Sequence, residues 1–459
     1  MTTFSSLPLN PALLASIETL GYTDMTPVQA QGLPPLLAGQ DVIAQAQTGS
    51  GKTAAFGLGL LQSLDVDAIR LQSLVLCPTR ELADQVSKAI RKLAAGIPNV
   101  KLLTLCGGVP LGPQLASLTH DPHIVVGTPG RVQEHLKRGS LHGGGIKVLV
   151  LDEADRMLDM GFSEAIDDIV GRISKHHQTL LFSATYAPEI RAVSRRLQRR
   201  PVEVTVDAPV DQEPMIEQRF HEVDPARKPD ALAQLLADAH AEQALVFCNM
   251  RRDVDTVAQE LDRRGFSALA LHGDMEQRDR DEVLVRFANH SCTILVATDV
   301  AARGLDIVAL PLVISYDVAH DPQTHTHRIG RTGRAGQSGL AITLCTSREQ
   351  RKVSNIEDRL GSPLPRHPLK IDVNKGKTLR LAPMKTLVID AGRRHKLRPG
   401  DILGALTGDA GLPAAAVGKI DVFATRSYVA INRASASGAL ERLRAGRIKG
   451  RDYRVRQLG

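Results

Sequence analysis

Short, almost wholly apolar runs recur through the first 350 residues, each closed by Thr, Pro, Gly, Asp or a similar turn residue and followed by helical spacing. Val148-Leu149-Val150-Leu151 is the clearest of them. An apolar run without polar alternation marks a strand covered on both faces, as in a parallel sheet flanked by helices. The same signature predicts strands at Asp41–Ala44, Leu74–Cys77, Ile124–Gly127, Val148–Leu151 and Thr179–Ser183. A second series follows at Ala244–Cys248, Leu269–His272, Ile294–Ala297, Leu312–Tyr316 and Gly339–Cys345. This βαβ rhythm predicts two tandem doubly wound α/β domains with parallel sheets, whose ligands sit at the carboxyl edges of the strands. Beyond residue 384 the rhythm changes. Strands at Lys385–Ala391, Gly418–Phe423, Tyr428–Asn432 and Tyr453–Gln457 alternate with helices near Pro399–Leu406 and Ser435–Ala445. Their order, βαββαβ, predicts a smaller α+β domain.

Two breaks interrupt the pattern: the polar stretch Asp207–Pro214, and Gly361–Pro383, whose Pro, Lys and Gly suit a semi-extended linker. The expected organisation is a first domain at 1–208, a second at 209–360, a linker at 361–383 and a third domain at 384–459. A chain of 459 residues is too long for one core. With 43% hydrophobic and 23% charged residues its composition is that of an ordinary globular protein. No apolar run approaches membrane-spanning length and the first residues lack a basic-then-apolar leader, so a cytoplasmic location is expected. Five scattered cysteines have no metal-type spacing and read as reduced, buried thiols. The net charge of +7 hides an asymmetry: residues 376–459 carry 17 Lys+Arg against 6 Asp+Glu, and the other 375 carry 40 against 44. So basic a terminal segment reads first as a nucleic-acid surface.

The chemistry begins at Ala46-Gln47-Thr48-Gly49-Ser50-Gly51-Lys52-Thr53. A glycine-rich loop between strand and helix lets backbone N–H groups wrap phosphates, with Lys52 reaching the terminal ones and the Thr53 hydroxyl on Mg²⁺. The Val148–Leu151 strand ends in Asp152-Glu153-Ala154-Asp155. Asp152 is placed to hold the same ion and Glu153 to polarise the attacking water. Together the two signatures predict hydrolysis of ATP or a near relative. The second half lacks a phosphate loop but carries His327-Arg328-Ile329-Gly330-Arg331-Thr332-Gly333-Arg334. Arg331 and Arg334, three apart, are expected on one helix face, where both would reach a γ-phosphate and stabilise transition-state charge.

These motifs, in this order, resemble those of the DEAD-box RNA helicases over roughly residues 4–350. The resemblance implies two RecA-like domains and an RNA-stimulated ATPase. It implies that Tyr22 and Gln29 read adenine, although the family more often has Phe at the Tyr22 position, and that Asp306 faces the ribose. It places Thr79, Arg80, Gly107, Gly108, Thr128 and Arg131 on RNA in the first domain, and Gly273, Gln277, Arg280 and Thr298 in the second. Thr128 also reads as an N-cap with Pro129 at the first helical position. Asp155, Ser183, Thr185 and His327 are implied to couple hydrolysis to unwinding.

The βαββαβ order after residue 384 is that of the RNA-recognition-motif fold. Its aromatic stacking platform is mostly missing: only Tyr428 fits, with Arg426 and Ile431 at the other expected positions. Arg393, Arg394, Lys396 and Arg398, together with Lys449 and Arg451, form basic stretches suited to structured RNA. The arrangement resembles the DEAD-box protein A (DbpA) subfamily. That likeness implies an ATP- and Mg²⁺-dependent helicase that its third domain targets to a 23S ribosomal RNA hairpin during large-subunit assembly. A DNA-directed translocase and an ATP-gated RNA clamp or chaperone stay open on the residues alone.

Overall fold

The computed structural model describes residues 3–46, 49–206, 216–302, 310–333, 338–372, 381–408 and 411–459. The chain divides into two compact units, one built on residues before 212 and one on residues after it.

The first unit holds seven strands: β1 (Val42–Gln45), β2 (Ser73–Leu76), β3 (Leu102–Leu105), β4 (Ile124–Gly127), β5 (Val148–Leu151), β6 (Gln178–Ser183) and β7 (Val202–Thr205). They form one sheet in the order β3-β4-β2-β5-β6-β1-β7, every pair parallel. β2, β4 and β5 are buried along their whole length. Alternate residues of each strand feed two apolar cores, one per face: Val148 and Val150 enter the core with Phe56 and Phe182, Leu149 and Leu151 the other. This two-sided burial is what the unbroken apolar runs encode.

The second unit contains β8 (Ile216–Glu222), β9 (Ala244–Phe247), β10 (Ala268–Leu271), β11 (Ile294–Ala297), β12 (Leu312–Ser315) and β13 (Gly339–Cys345). Their order is β10-β11-β9-β12-β13-β8, again all parallel. Residues expected to be linker lie along β8: Phe220 N donates to the Pro365 carbonyl at 2.9 Å and His367 N to the Phe220 carbonyl at 2.8 Å. Leu364 is buried, and Leu369 and Ile371 pack against the core of this sheet. The segment thus satisfies an edge strand that would otherwise stand open.

The same unit carries the basic third sheet, β14 (Met384–Ile389), β15 (Val417–Val422), β16 (Ser427–Asn432) and β17 (Val455–Gln457), antiparallel in the order β15-β16-β14-β17. Helices Pro399–Thr407 and Ala436–Ala445 contribute Ile402, Leu406, Ala439 and Leu443 to a core with Leu387, Ile389, Val429 and Ile431. The opposite sheet face is covered by helix Gln277–Ala288, whose Val285 packs with Val388, Tyr428 and Leu458. At the seam Asn289 Nδ2 donates to Thr386 Oγ1 at 3.0 Å, and Thr386 Oγ1 donates to Ser291 Oγ at 2.8 Å. Among the described residues no helix is long and apolar enough to cross a membrane.

Candidate active site and nucleic-acid interface

The phosphate loop of the first unit runs from β1 into helix Lys52–Gln62. Gly49 and Gly51 have φ of 88° and 94°, the left-handed region where only glycine sits without strain. A Cβ on Gly51 would also lie 2.6 Å from Gln29 Nε2. Gln29 is buried and bonded at both ends: Oε1 accepts from Thr26 N at 2.9 Å, and Nε2 donates to the Gly51 carbonyl at 3.1 Å. The segment expected to read adenine and the phosphate loop are thereby joined. Tyr22 is 43% exposed. Lys52 is buried, with Nζ donating to the Ala46 carbonyl at 2.9 Å. Gln47 and Thr48 lie outside the described residues.

Asp152 ends β5 almost fully buried, its Oδ1 accepting from Glu153 N at 3.0 Å. Burial pushes its carboxyl up to about 6, against the pull of Lys52. Such a dry carboxylate, with the lysine in range and Thr53 in the first turn of the neighbouring helix, fits a divalent cation that would hold it ionised. Glu153 has φ 51° and ψ 53°, a left-handed conformation uncommon outside glycine. Strain of this kind persists where the surroundings over-determine it. Asp155 turns toward β6: Oδ2 accepts from Ala184 N at 3.2 Å and Thr185 Oγ1 at 3.4 Å. The Ser183 hydroxyl accepts from Thr185 N at 3.3 Å. The acidic strand end and the Ser183–Thr185 segment expected to act with it are therefore joined.

The six residues expected on RNA in the first unit also come together. Thr79 caps helix Arg80–Leu93, accepting from Leu82 N at 3.3 Å. Arg80 packs over Gly108, where φ is 72° and a Cβ would lie 2.9 Å from Nη1. That buried Nη1 has no hydrogen-bond partner. Thr128 occupies the N-cap position of helix Pro129–Lys137, yet its hydroxyl accepts from Gly107 N at 3.3 Å, not from its own helix. The expected cap is thus replaced by a tie between two motifs. Arg131, with 11% of its side chain exposed, binds Glu134 at 3.1 Å, Gln114 Oε1 at 2.8 Å and the Val109 carbonyl at 3.0 Å.

In the second unit Gly273 and Thr298 follow β10 and β11, and Gln277 and Arg280 open helix Gln277–Ala288. Arg280 Nη1 donates to the His272 carbonyl at 3.3 Å, and Thr298 N to the Leu271 carbonyl at 3.4 Å. His327 lies in helix Pro322–Ile329, which stops at Gly330. Arg331 is consequently beyond the helix, not on the helix face expected for it. Arg334 and Asp306 lie outside the described residues. The arginine that reading by motif passed over is Arg328, 1% exposed, which binds both oxygens of Asp299 at 2.7 Å, Asn249 Oδ1 at 2.7 Å and the Asp317 carbonyl at 2.6 Å. Nothing local separates it from its neighbours; its partners arrive from three other segments.

On the third sheet Tyr428 does not form a platform. It is 3% exposed, edge-on to Phe423 and shut against Val285. Ile431 points into the domain's own core, and Arg426 pairs with Asp390 at 3.4 Å. The basic stretches fare differently. Arg393, Arg394, Lys396, Arg398, Lys449 and Arg451 are all exposed. Lys449 Nζ donates to the Lys396 carbonyl at 3.0 Å and pairs with Asp401 at 3.6 Å, which joins the two stretches on one side of the domain.

Three family models match in series: DEAD/DEAH box helicase at 26–193, helicase conserved C-terminal domain at 227–336 and DbpA RNA binding domain at 386–457. Over 459 residues, 100% of each chain, the sequence is 52% identical to the ATP-dependent RNA helicase DbpA of Escherichia coli (strain K12). The chain belongs to the DEAD-box RNA helicases, in the DbpA subfamily. A DEAD-box helicase CshA of Bacillus cereus is 44% identical over 370 residues, covering 79% of this chain and 70% of that one. The structure of Saccharomyces cerevisiae Dbp5 bound to RNA and ADP BeF3 superposes with a TM-score of 0.71 at 28% identity, covering 82% of this chain and 100% of that one. As a DEAD-box enzyme the protein is an RNA helicase that uses ATP and binds RNA.

Proposed function

We propose that this helicase is targeted by residues 384–459 to a hairpin of 23S ribosomal RNA and unwinds RNA locally during assembly of the large ribosomal subunit, in the cytoplasm. The observation that carries the reading is the joined basic surface of Arg393–Arg398 and Lys449–Arg451 on a domain whose sheet face is covered. An RNA-recognition-motif sheet normally stacks single-stranded bases on aromatic residues. With Tyr428 withdrawn, the exposed cations of two loops remain, and these suit the phosphates of a folded RNA. The ribosomal target itself rests on the family likeness.

In this reading Tyr22, Gln29 and Asp306 hold the nucleoside, and residues 46–53 hold the phosphates. Thr53 and Asp152 hold Mg²⁺, which supplies charge neutralisation at the transferring phosphoryl group. Lys52 binds the terminal phosphates, Glu153 orients water, and Arg331 and Arg334 stabilise the charge that develops. Asp155, Ser183, Thr185 and His327 transmit hydrolysis to the RNA held by Thr79, Arg80, Gly107, Gly108, Thr128, Arg131, Gly273, Gln277, Arg280 and Thr298. The bonds from Asp155 to Ala184 and Thr185 support that link.

The test replaces Arg393, Arg394, Lys396 and Arg398 with Gln in the full chain. Deleting residues 384–459 would uncover Val285 and confuse the outcome. ATPase stimulation by a 23S hairpin fragment is expected to fall about tenfold or more, and stimulation by random RNA to change by less than about threefold. Equal loss on both RNAs would defeat the targeting. Displacement of a short RNA duplex with ATP but not with a non-hydrolysable analogue, at more than one turnover, separates helicase from clamp. A preference for duplex DNA would indicate a translocase.

A further inference from the structure

Between the end of β3 and helix Pro129–Lys137 the first unit holds a polar hub in which Arg131 meets two residues, Gln114 and His135, that none of the assignments above uses. Its centre is Gln114. Nε2 donates to the Cys106 carbonyl at 3.0 Å, which fixes the amide with Oε1 turned toward the helix. Oε1 lies 2.8 Å from Arg131 Nη1 and 2.9 Å from His135 Nε2. An amide oxygen only accepts, so His135 carries its proton on Nε2. Its Nδ1 lies 2.9 Å from Ser140 Oγ, whose hydroxyl also reaches the His135 carbonyl at 3.2 Å. His135 is wholly buried, and burial with the adjacent Arg131 keeps its pKa below the ordinary value.

The consequence lies on the RNA side. Gln114 holds the Cys106 carbonyl, Arg131 holds the Val109 carbonyl at 3.0 Å, and the two side chains are bonded to each other. These carbonyls flank Gly107-Gly108. The third tie, Gly107 N to Thr128 Oγ1 at 3.3 Å, joins the same turn to the start of the helix. We propose that Gln114 is a positioning residue of the RNA face, setting the Gly107-Gly108 turn at a fixed offset from helix Pro129–Lys137 so that successive RNA phosphates meet both. His135 is its anchor. The inference rests on the reading that the Gly107-Gly108 and Thr128–Arg131 motifs face RNA.

The test is steady-state ATPase of the full chain against RNA concentration. Gln114→Met keeps volume but loses donor and acceptor, and is expected to raise the KM for RNA about tenfold. The kcat at saturating RNA and the RNA-free rate stay within about twofold. Gln114→Glu keeps the acceptor for Arg131 and His135 but sets a carboxylate oxygen against the Cys106 carbonyl, so its KM is expected to rise as well. In an Arg131→Met background, Gln114→Met adds less than it does alone, because the two bonded side chains hold the same turn. A native KM in Gln114→Met overturns the proposal. So does a parallel fall in kcat and in the unfolding temperature, the mark of a merely structural role. Arg80→Met separates the two layers: if it too leaves the RNA KM unchanged, the RNA-face reading fails, whereas a raised KM there beside a native Gln114→Met overturns Gln114 alone.

Discussion

Two buried titratable side chains make stability depend on pH in different ways. The carboxyl of Asp152 titrates near 6 in the folded chain, against an ordinary value of 3.8, because burial outweighs Lys52. Unfolding lets it ionise, so stability falls as pH rises from about 4 to 6 and stays reduced above. The penalty is about 3 kcal/mol at neutral pH. Asp152→Asn in the protein without nucleotide or Mg²⁺ is therefore expected to gain up to about 3 kcal/mol in urea denaturation at pH 7 while losing ATPase activity. His325 behaves oppositely. Burial lowers its pKa from 6.5 to about 4, with Nε2 3.0 Å from Gln218 Oε1. The unfolded chain protonates first, so stability is whole above pH 6.5 and about 3 kcal/mol is lost as pH falls to 4. In His325→Gln the urea midpoint should decline less between pH 6.5 and 4 than in the native chain. Sequence reading singled out Asp152 because a loop and a strand end each carry local signatures. It had no comparable means of separating Arg328 from Arg331, since the difference lies in Asp299, Asn249 and Asp317.

Among elements, every strand of the two parallel sheets with neighbours on both sides shows itself as an apolar run, and of their four edge strands only β10 does. β4, β5, β11 and β13 have the expected ends, and other central strands differ by a residue or so. β3, β7 and β8 were not anticipated, and each is a sheet edge. An edge strand has less to bury: Val202-Glu203-Val204-Thr205 has one buried residue in four, and Ile216–Glu222 is polar at most positions. Their hydrophobic signal is diluted by the exposure that defines an edge. The motif helix ending at Gly330 is held by Arg328, whose bonds tie it to β9, β11 and β12 through Asn249, Asp299 and Asp317. Arg328→Met leaves the partly buried Asp299 without its cation, and should cost the second unit about 3 kcal/mol in chemical denaturation. The first unit's transition should be unchanged.

At the scale of the whole chain, the third sheet was legible as a fold but not in its orientation. Alternation along β14 and β16 says that Val388 and Tyr428 share a face; only the residues of helix Gln277–Ala288 say that the face is occupied. That helix is common to two tasks. Its first turn holds Gln277 and Arg280, proposed to contact the RNA being separated, and its last turns are packed and hydrogen-bonded to the domain proposed to grip a hairpin. Twelve residues in an α-helix span roughly 18 Å. Within the second unit the helix is therefore a ruler, and an anchored RNA meets the motor at one spacing. Substrates in which the single strand between hairpin and duplex is lengthened one nucleotide at a time should show a sharp optimum in unwinding rate. Tyr428→Ala with Asn289→Ala should flatten that optimum while hairpin affinity stays native. The length of the joint, as much as the sequence it grips, would then decide which duplex is opened.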